Sequence, residues 1–365
     1  MYKILISGYY GFNNIGDESI LKAVVDNLQE QLDGIDITVL SQNPASTSEK
    51  YGVKSADRKS ISAILASVGK CDLLISGGGS LLQDATSKRS IIYYLAIIKI
   101  ALLMRKKVMI YSQGIGPINS KFNRRLTAKI LKKVSGIVVR DDTSKELLTE
   151  IGIEPNRVVV TADPVLRIKP VPLSVGAKIL EDEGFVAQEG KRIVGIAVRE
   201  RRQNSVFIDE LCISIEKLVE KQNAQIVLIP FHFSEDMPVI EEIERRLGNK
   251  VFAVKNKYLT EEMMSIIGNM DVLLGVRLHA LIHAAIMNVS MIAVSYDPKI
   301  NSFMSSVGMK AMCSIYDFNN EFFMEEFSKT IEDEEKVKKR VQTNIKELIQ
   351  KLDSSELMIK ELMSK

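Results

Sequence analysis

The sequence predicts an α/β protein of two doubly wound parallel-sheet domains, and three observations predict it. Short apolar runs alternate with helix-length stretches along most of the 365 residues, the pattern of a parallel sheet covered on both faces. The chain is too long for one ordinary core and suits two domains of roughly 150–180 residues each. A looser stretch at 167–176, RIKPVPLSVG, interrupts the alternation with two prolines, as a linker does. The reading is a first domain over 1–168, a second over 169–330, and a charged helical extension over 331–365 that returns to brace the first domain. The two domains are expected to face each other across a cleft.

In chain order, strands are expected at 3–7, 35–40, 73–76, 108–112, 137–139 and 158–161. Helices fall between them at 17–32, 60–69, 91–104, 124–134 and 143–151. After the linker the strands are 193–198, 225–230, 251–254, 271–274 and 291–294, with helices at 207–220, 239–247, 260–268 and 278–287. Each strand is a run of apolar residues closed by a glycine or a polar residue. The helices carry apolar residues at three- and four-residue spacing.

Composition narrows the function. The net charge is +3, which gives nucleic-acid binding no support. Cys71, Cys212 and Cys313 are far apart and follow no metal spacing. They read as free thiols of a reducing, cytoplasmic compartment. The start, MYKILISGYYG, reads as a strand ending in glycine and lacks a secretory apolar region. The run 91–104, IIYYLAIIKIALLM, is shorter than the roughly 20 residues of a membrane span. It reads first as a buried helix. Its basic flanks (Lys88, Arg89, Arg105, Lys106, Lys107) and the lysines and arginines of the next helix also suit docking on an anionic leaflet.

The segment VLLGVRLHALIHA, 272–284, says most about chemistry. A buried strand ends at Gly275, a helix starts near Leu278, and Arg277 and His279 sit at the turn. In an open parallel sheet that edge binds ligands. A helix start supplies free N–H groups, a guanidinium adds a fork for phosphate or carboxylate, and an imidazole adds acid/base capacity. Arg199 and His232 end two other strands of the same half, and three such residues on one rim point to a site. His283 lies one turn after His279. A metal pair there lacks a third ligand, so packing or orienting His279 is its reading.

The first half carries glycine-rich strand ends. GYYGFNNIGDE, 8–18, brings Tyr10, Gly11, Asn13 and Asn14 to a sharp turn, and its spacing is not that of a dinucleotide fingerprint. Asp17 stands both as helix N-cap and as candidate base. SGGGSLLQD, 76–84, offers a floor stripped of side chains at Gly78 and Gly79, with Gln83 and Asp84 as hydroxyl partners. SQGIGP and VRDD follow, the latter placing Arg140 at a strand end. Asp297-Pro298 reads as a turn.

Together GYYGFNNIGDE, GGGSLLQD, SQGIGP, VRDD, ADP and GVRLHA resemble the polysaccharide pyruvyl transferase family, and within it the bacterial cell-wall (CsaB) type. The resemblance runs from Gly8 to Ala280. It implies a GT-B-like pair of Rossmann-like domains and transfer from phosphoenolpyruvate to a sugar, forming a cyclic ketal and releasing phosphate. It further implies N-acetylmannosamine of a lipid-linked saccharide as acceptor and work at the inner leaflet. Arg277, Leu278 and His279 match the family's donor-binding residues, with Arg199 and Arg140 joined to them. Tyr10, Gly11, Asn13 and Asn14 match the acceptor loop, to which Gly78, Gly79 and Gln83 are added. His279 is then the acid/base, and Asp17 or Asp84 a second base. Neither a metal nor a cofactor beyond phosphoenolpyruvate is required. A GT-B glycosyltransferase using a nucleotide sugar is the alternative, and a non-catalytic sugar-binding module the reading from another class.

Overall fold

Two all-parallel sheets organise the chain. The computed structural model describes every residue except 86, 88, 200–204 and 365, so Lys88 lies outside the described residues. The chain divides into two compact units, Met1–Arg167 with Leu348–Lys365, and Ile168–Glu347. The stretch 331–365, read as one extension, is thus shared between them.

The first unit runs β1 (Tyr2–Tyr10), α1 (Ile15–Gln31), β2 (Ile35–Ser41), α2 (Pro44–Tyr51), β3 (Lys54–Asp57), α3 (Ile61–Lys70) and β4 (Leu73–Gly77). It continues with α4 (Ser90–Leu103), β5 (Lys107–Gln113), α5 (Lys121–Leu131), β6 (Gly136–Val139), α6 (Asp142–Glu150) and β7 (Val158–Val160). Its strand order is β3-β2-β1-β4-β5-β6-β7, with Ile4 beside Leu73 and Ser7 beside Ser76 in register. The order turns between β1 and β4, so their following loops lie at the switch point where such sheets bind ligands. Strand β4 is buried along its whole length, as a central strand covered on both faces must be. Leu74, Val108 and Ile110 of the sheet share one core with Ile64 and Val68 of α3, Leu95 and Ile98 of α4, and Ile130 and Leu131 of α5.

The second unit runs α7 (Leu173–Asp182), β8 (Arg192–Ala197), α8 (Ser205–Lys221), β9 (Ala224–Leu228), α9 (Phe233–Leu247), β10 (Val251–Ala253), α10 (Thr260–Gly268) and β11 (Val272–Gly275). Then come α11 (Leu278–Ile286), β12 (Ser290–Ser295), α12 (Pro298–Ser306), β13 (Cys313–Ser314) and α13 (Asn320–Glu332). The order β10-β9-β8-β11-β12-β13 puts its switch point between β8 and β11. The final helix α14 (Glu334–Ser364) leaves this unit and completes the first. There the Ser355 hydroxyl lies 3.0 Å from that of Ser112, and Lys107 donates to the Leu362 carbonyl at 2.6 Å.

The boundary between the two units, at Arg167 and Ile168, falls within the stretch 167–176 read as a linker, whose second part is helical. Helix α7 begins inside it, and Gly176 donates its N–H to the Ser265 hydroxyl of α10 at 2.6 Å. A Cβ at Gly176 would meet the Ser265 backbone at 2.3 Å, so the glycine is what lets the two helices touch.

Candidate active site

In the second unit the ends of β9, β8, β11 and β12 adjoin, and each delivers one part of a charged cluster. Past β11, Arg277 caps α11 without a side-chain cap bond of its own. The first-turn N–H groups of α11 therefore have no capping side chain, which favours an anion there. The guanidinium is buried and gripped by Asp236 of α9, through Nε to Oδ2 at 3.2 Å and through Nη2 to Oδ1. Nη2 also reaches Glu235 at 3.3 Å. Burial opposes the charge of Arg277, and Asp236 outweighs it, so the group stays cationic. Among the described residues Nη1 has no protein partner, and it is the edge left for a ligand.

Asp236 is itself fixed. It is wholly buried and accepts the N–H groups of Phe231 and His232 at 3.0 and 2.8 Å. His232 Nδ1 lies 3.2 Å from Glu235. That hydrogen bond, acting against burial and joined by the charges of Arg277 and Arg199, holds the Glu235 carboxyl down at about 2.

On the far side, past β8 and β12, Arg199 stands 4.6 Å from the centre of the Tyr296 ring and the Lys299 ammonium 5.5 Å from it. Burial pushes the Tyr296 phenol up, but Lys299, Arg199 and Arg277 together overcome it and leave it below its ordinary value. Arg199 and Lys299 thus meet at one ring with Arg277 nearby, and the carboxylates of Asp236, Glu235 and Asp297 hold these cations in place. Asp297 accepts the Lys299 N–H at 3.1 Å and caps α12, the turn expected of it.

His279 occupies the second position of α11 and is partly exposed. Leu278 is buried, so its side chain faces core and only its N–H can meet a ligand. His283 is fully buried with its ring 5.4 Å from that of Phe231.

In the first unit the structure brings the glycine-rich motifs together. Gly11 has φ +80, and a Cβ there would strike the Ser41 hydroxyl at 2.3 Å. Its N–H binds Glu18 at 2.8 Å. Asn13 is exposed with positive φ. Asn14, not Asp17, is the N-cap of α1, accepting from Gly16. Asp17 stands one turn in and accepts from Asn14 Nδ2 at 2.6 Å. The loop after β4 approaches Asp17: a Cβ on Gly79 would lie 2.8 Å from its carboxylate, and Gly79 has φ +46. Gly79→Ala is accordingly expected to lower the stability of this unit by about 1–2 kcal/mol and to displace Asp17. A melting temperature equal to the parent's would contradict that.

Four expectations need correction or refinement. Tyr10 is wholly buried and donates its hydroxyl to the Gly77 carbonyl at 2.8 Å. It shapes the loop and does not reach an acceptor. Asp84 accepts from the N–H groups of Asn119 and Ser120 at 2.6 and 2.9 Å and from Asn123 at 2.9 Å. It is buried and anchors the loop before α5, which is not the posture of a base. Arg140 lies in the first unit, donating to Asp163 at 3.0 Å and to Ser80 at 3.2 Å. It ties VRDD, ADP and the GGGS loop together, whereas Arg199 and Arg277 belong to the second unit. Gln83 turns its amide oxygen back to the Ala85 N–H at 2.8 Å.

Sequence reasoning missed Glu235, Asp236, Tyr296 and Arg58. The Arg58 guanidinium is buried, donates to the Gly8 carbonyl at 3.1 Å and to the Tyr94 hydroxyl at 3.2 Å, and has the Tyr93 and Phe12 ring centres 4.7 and 5.0 Å away. It braces the loop after β1 through cation–π contact. The paired tyrosines at 9–10 and 93–94 were the available signal.

A protein-family model described as polysaccharide pyruvyl transferase matches residues 14–298. The amylovoran biosynthesis protein AmsJ of Erwinia amylovora is 22% identical over 372 residues, spanning 86% of this chain and 88% of that protein. Among solved structures, UDP-GlcNAc 2-epimerase from Neisseria meningitidis bound to UDP-GlcNAc is similar over 100% of both chains, with TM-score 0.66 and 14% identity. Anabaena Alr3699/HepE in complex with UDP-glucose is similar over 100% of both chains, with TM-score 0.67 and 12% identity. These structural likenesses speak for the fold alone, the GT-B-like class of two Rossmann-like domains.

Proposed function

This chain belongs to the polysaccharide pyruvyl transferase family, and on that premise we propose that it moves a pyruvyl group from phosphoenolpyruvate to a sugar of a polysaccharide acceptor. The observation that carries the donor assignment is the meeting of Arg199 and Lys299 at the Tyr296 ring, with Arg277 at the start of α11. Phosphoenolpyruvate is a small, multiply charged anion with a phosphate and a carboxylate. A braced arginine edge suits one group and the Arg199–Lys299 pair the other. These cations neutralise the phosphate, so the proposal invokes no metal ion.

His279 is the proposed acid/base. One sugar hydroxyl adds to the central carbon of the enol as a proton is delivered to the methylene carbon. The tetrahedral adduct expels phosphate, and the second hydroxyl closes the ketal, its proton passing by way of a second base to the released phosphate. A histidine can supply the first proton and take up the hydroxyl proton, ending as it began. Asp17, held by Asn14 at the glycine-rich loop, is the proposed second base. The acceptor loop is Gly11, Asn13, Asn14, Gly78 and Gly79. The motif resemblance to the cell-wall type supports N-acetylmannosamine of a lipid-linked saccharide as the acceptor, and the use of phosphoenolpyruvate supports a cytoplasmic enzyme.

The test is calorimetric titration with phosphoenolpyruvate and, separately, with UDP-sugars. Phosphoenolpyruvate is expected to bind, and Arg199→Ala or Lys299→Ala to weaken it by roughly 10- to 100-fold, the loss of one charge-assisted bond. Binding of a UDP-sugar with none of phosphoenolpyruvate would instead favour the nucleotide-sugar reading.

A further inference from the structure

We infer that the outer face of α3, α4 and α5 docks the first unit on an anionic lipid bilayer. The idea does not rest on the donor assignment. The 56 residues between Asp84 and Asp141 contain thirteen Lys or Arg and no Asp or Glu, although the whole chain is only +3. Helix α3 also carries no acidic residue. The excess of positive charge is therefore concentrated on one stretch of the fold.

These helices link successive parallel strands, so they lie side by side on one face of the sheet and begin at the same edge. Their first turns present Ile61, Ile92 and Phe122, which are 73%, 43% and 65% exposed. Neighbouring positions on that edge carry Lys59, Arg89, Lys121 and Arg125, all exposed. Along α4 the outward stripe continues through Ala96, Lys99 and Leu103, while its other side packs Leu95 and Ile98 into the core. Helix α4 has 14 residues, about 21 Å at 1.5 Å per residue, and no helix among the described residues is long and apolar enough to cross a membrane. An exposed apolar row flanked by cations, on three helices that carry no acidic residue, suits the headgroup boundary of an anionic leaflet. A soluble polyanion would use the cations and leave the apolar row without a partner. The row lies at the edge to which the loops after β1 and β4 also belong, so a lipid-carried acceptor would arrive on that side.

The chain has no tryptophan, so Phe122→Trp installs a single reporter. Its emission is expected to shift to the blue with phosphatidylcholine–phosphatidylglycerol vesicles and not with phosphatidylcholine alone. In co-sedimentation the full chain should partition onto the anionic vesicles and be released by salt. The combined Ile61→Ser, Ile92→Ser and Phe122→Ser variant should bind about tenfold or more weakly, as should Lys121→Glu with Arg125→Glu. The serine variant should keep the parental melting curve and its turnover of a soluble acceptor. Three outcomes overturn the inference: no preference for anionic vesicles, unchanged binding by the serine variant, or the same blue shift with heparin. The last two would indicate an acidic polymer site.

Discussion

Asp236→Ala is expected to lower the stability of the second unit by about 3–5 kcal/mol, the cost of leaving a buried charge without its partner. Arg277 would lose the carboxylate that grips two of its nitrogens, and the Phe231 and His232 N–H groups would lose their acceptor. For a domain of this size the melting temperature should fall by roughly 10 °C. Asp236→Asn should fall less, because it can still accept the two N–H groups. Replacing the pair together, Asp236→Leu with Arg277→Met, should recover the part of the loss that comes from the unpaired charge, though not the part from the Phe231 and His232 N–H groups, while leaving phosphoenolpyruvate unbound. A melting temperature for Asp236→Ala within a degree or two of the parent would show that the pair does not brace the site.

His279→Ala is expected to reduce turnover by about 10²- to 10⁴-fold, the ordinary worth of a positioned acid/base, with the fold intact. His279 is partly exposed at the second position of α11, a position that alanine also favours in a helix. The assay is phosphate release from phosphoenolpyruvate with the sugar acceptor present. The variant should still bind phosphoenolpyruvate, since Arg199, Arg277 and Lys299 remain. Full activity would remove His279 from the chemistry, whereas lost binding would move it into the donor pocket.

The central strands were legible because a strand buried on both faces has to be written in apolar residues, as LLISG of β4 and VLLG of β11 are. The edges were not. Strand β3 reads KSAD and is partly exposed throughout, since an edge strand has little to bury. Strand β13 is two residues long. The same reasoning explains the site residues that were missed. Pro238 lies inside α9 and reads as a breaker, so the sequence suggests a helix from 239. The helix in fact starts at Phe233, which turns Glu235 and Asp236 from loop residues into the braces of Arg277. Arg277, His279 and the glycine loops were visible because backbone geometry at a strand end demands particular residue types. Which carboxylate would meet Arg277 depends on strands β9 and β11, which are two places apart in the sheet and more than forty residues apart in sequence.

Residues 348–365 complete the first unit although the entire second unit precedes them in the chain. During synthesis, therefore, the surface around Ser112 and Met109 stays bare until the last helix clears the ribosome. The amino-terminal unit thus lacks its last packing element until the second unit has been made, and a chain cut short at residue 347 would leave the first unit without it. A purified chain truncated after residue 347 should be cut by protease within the first unit, while the chain with residues 348–365 resists it.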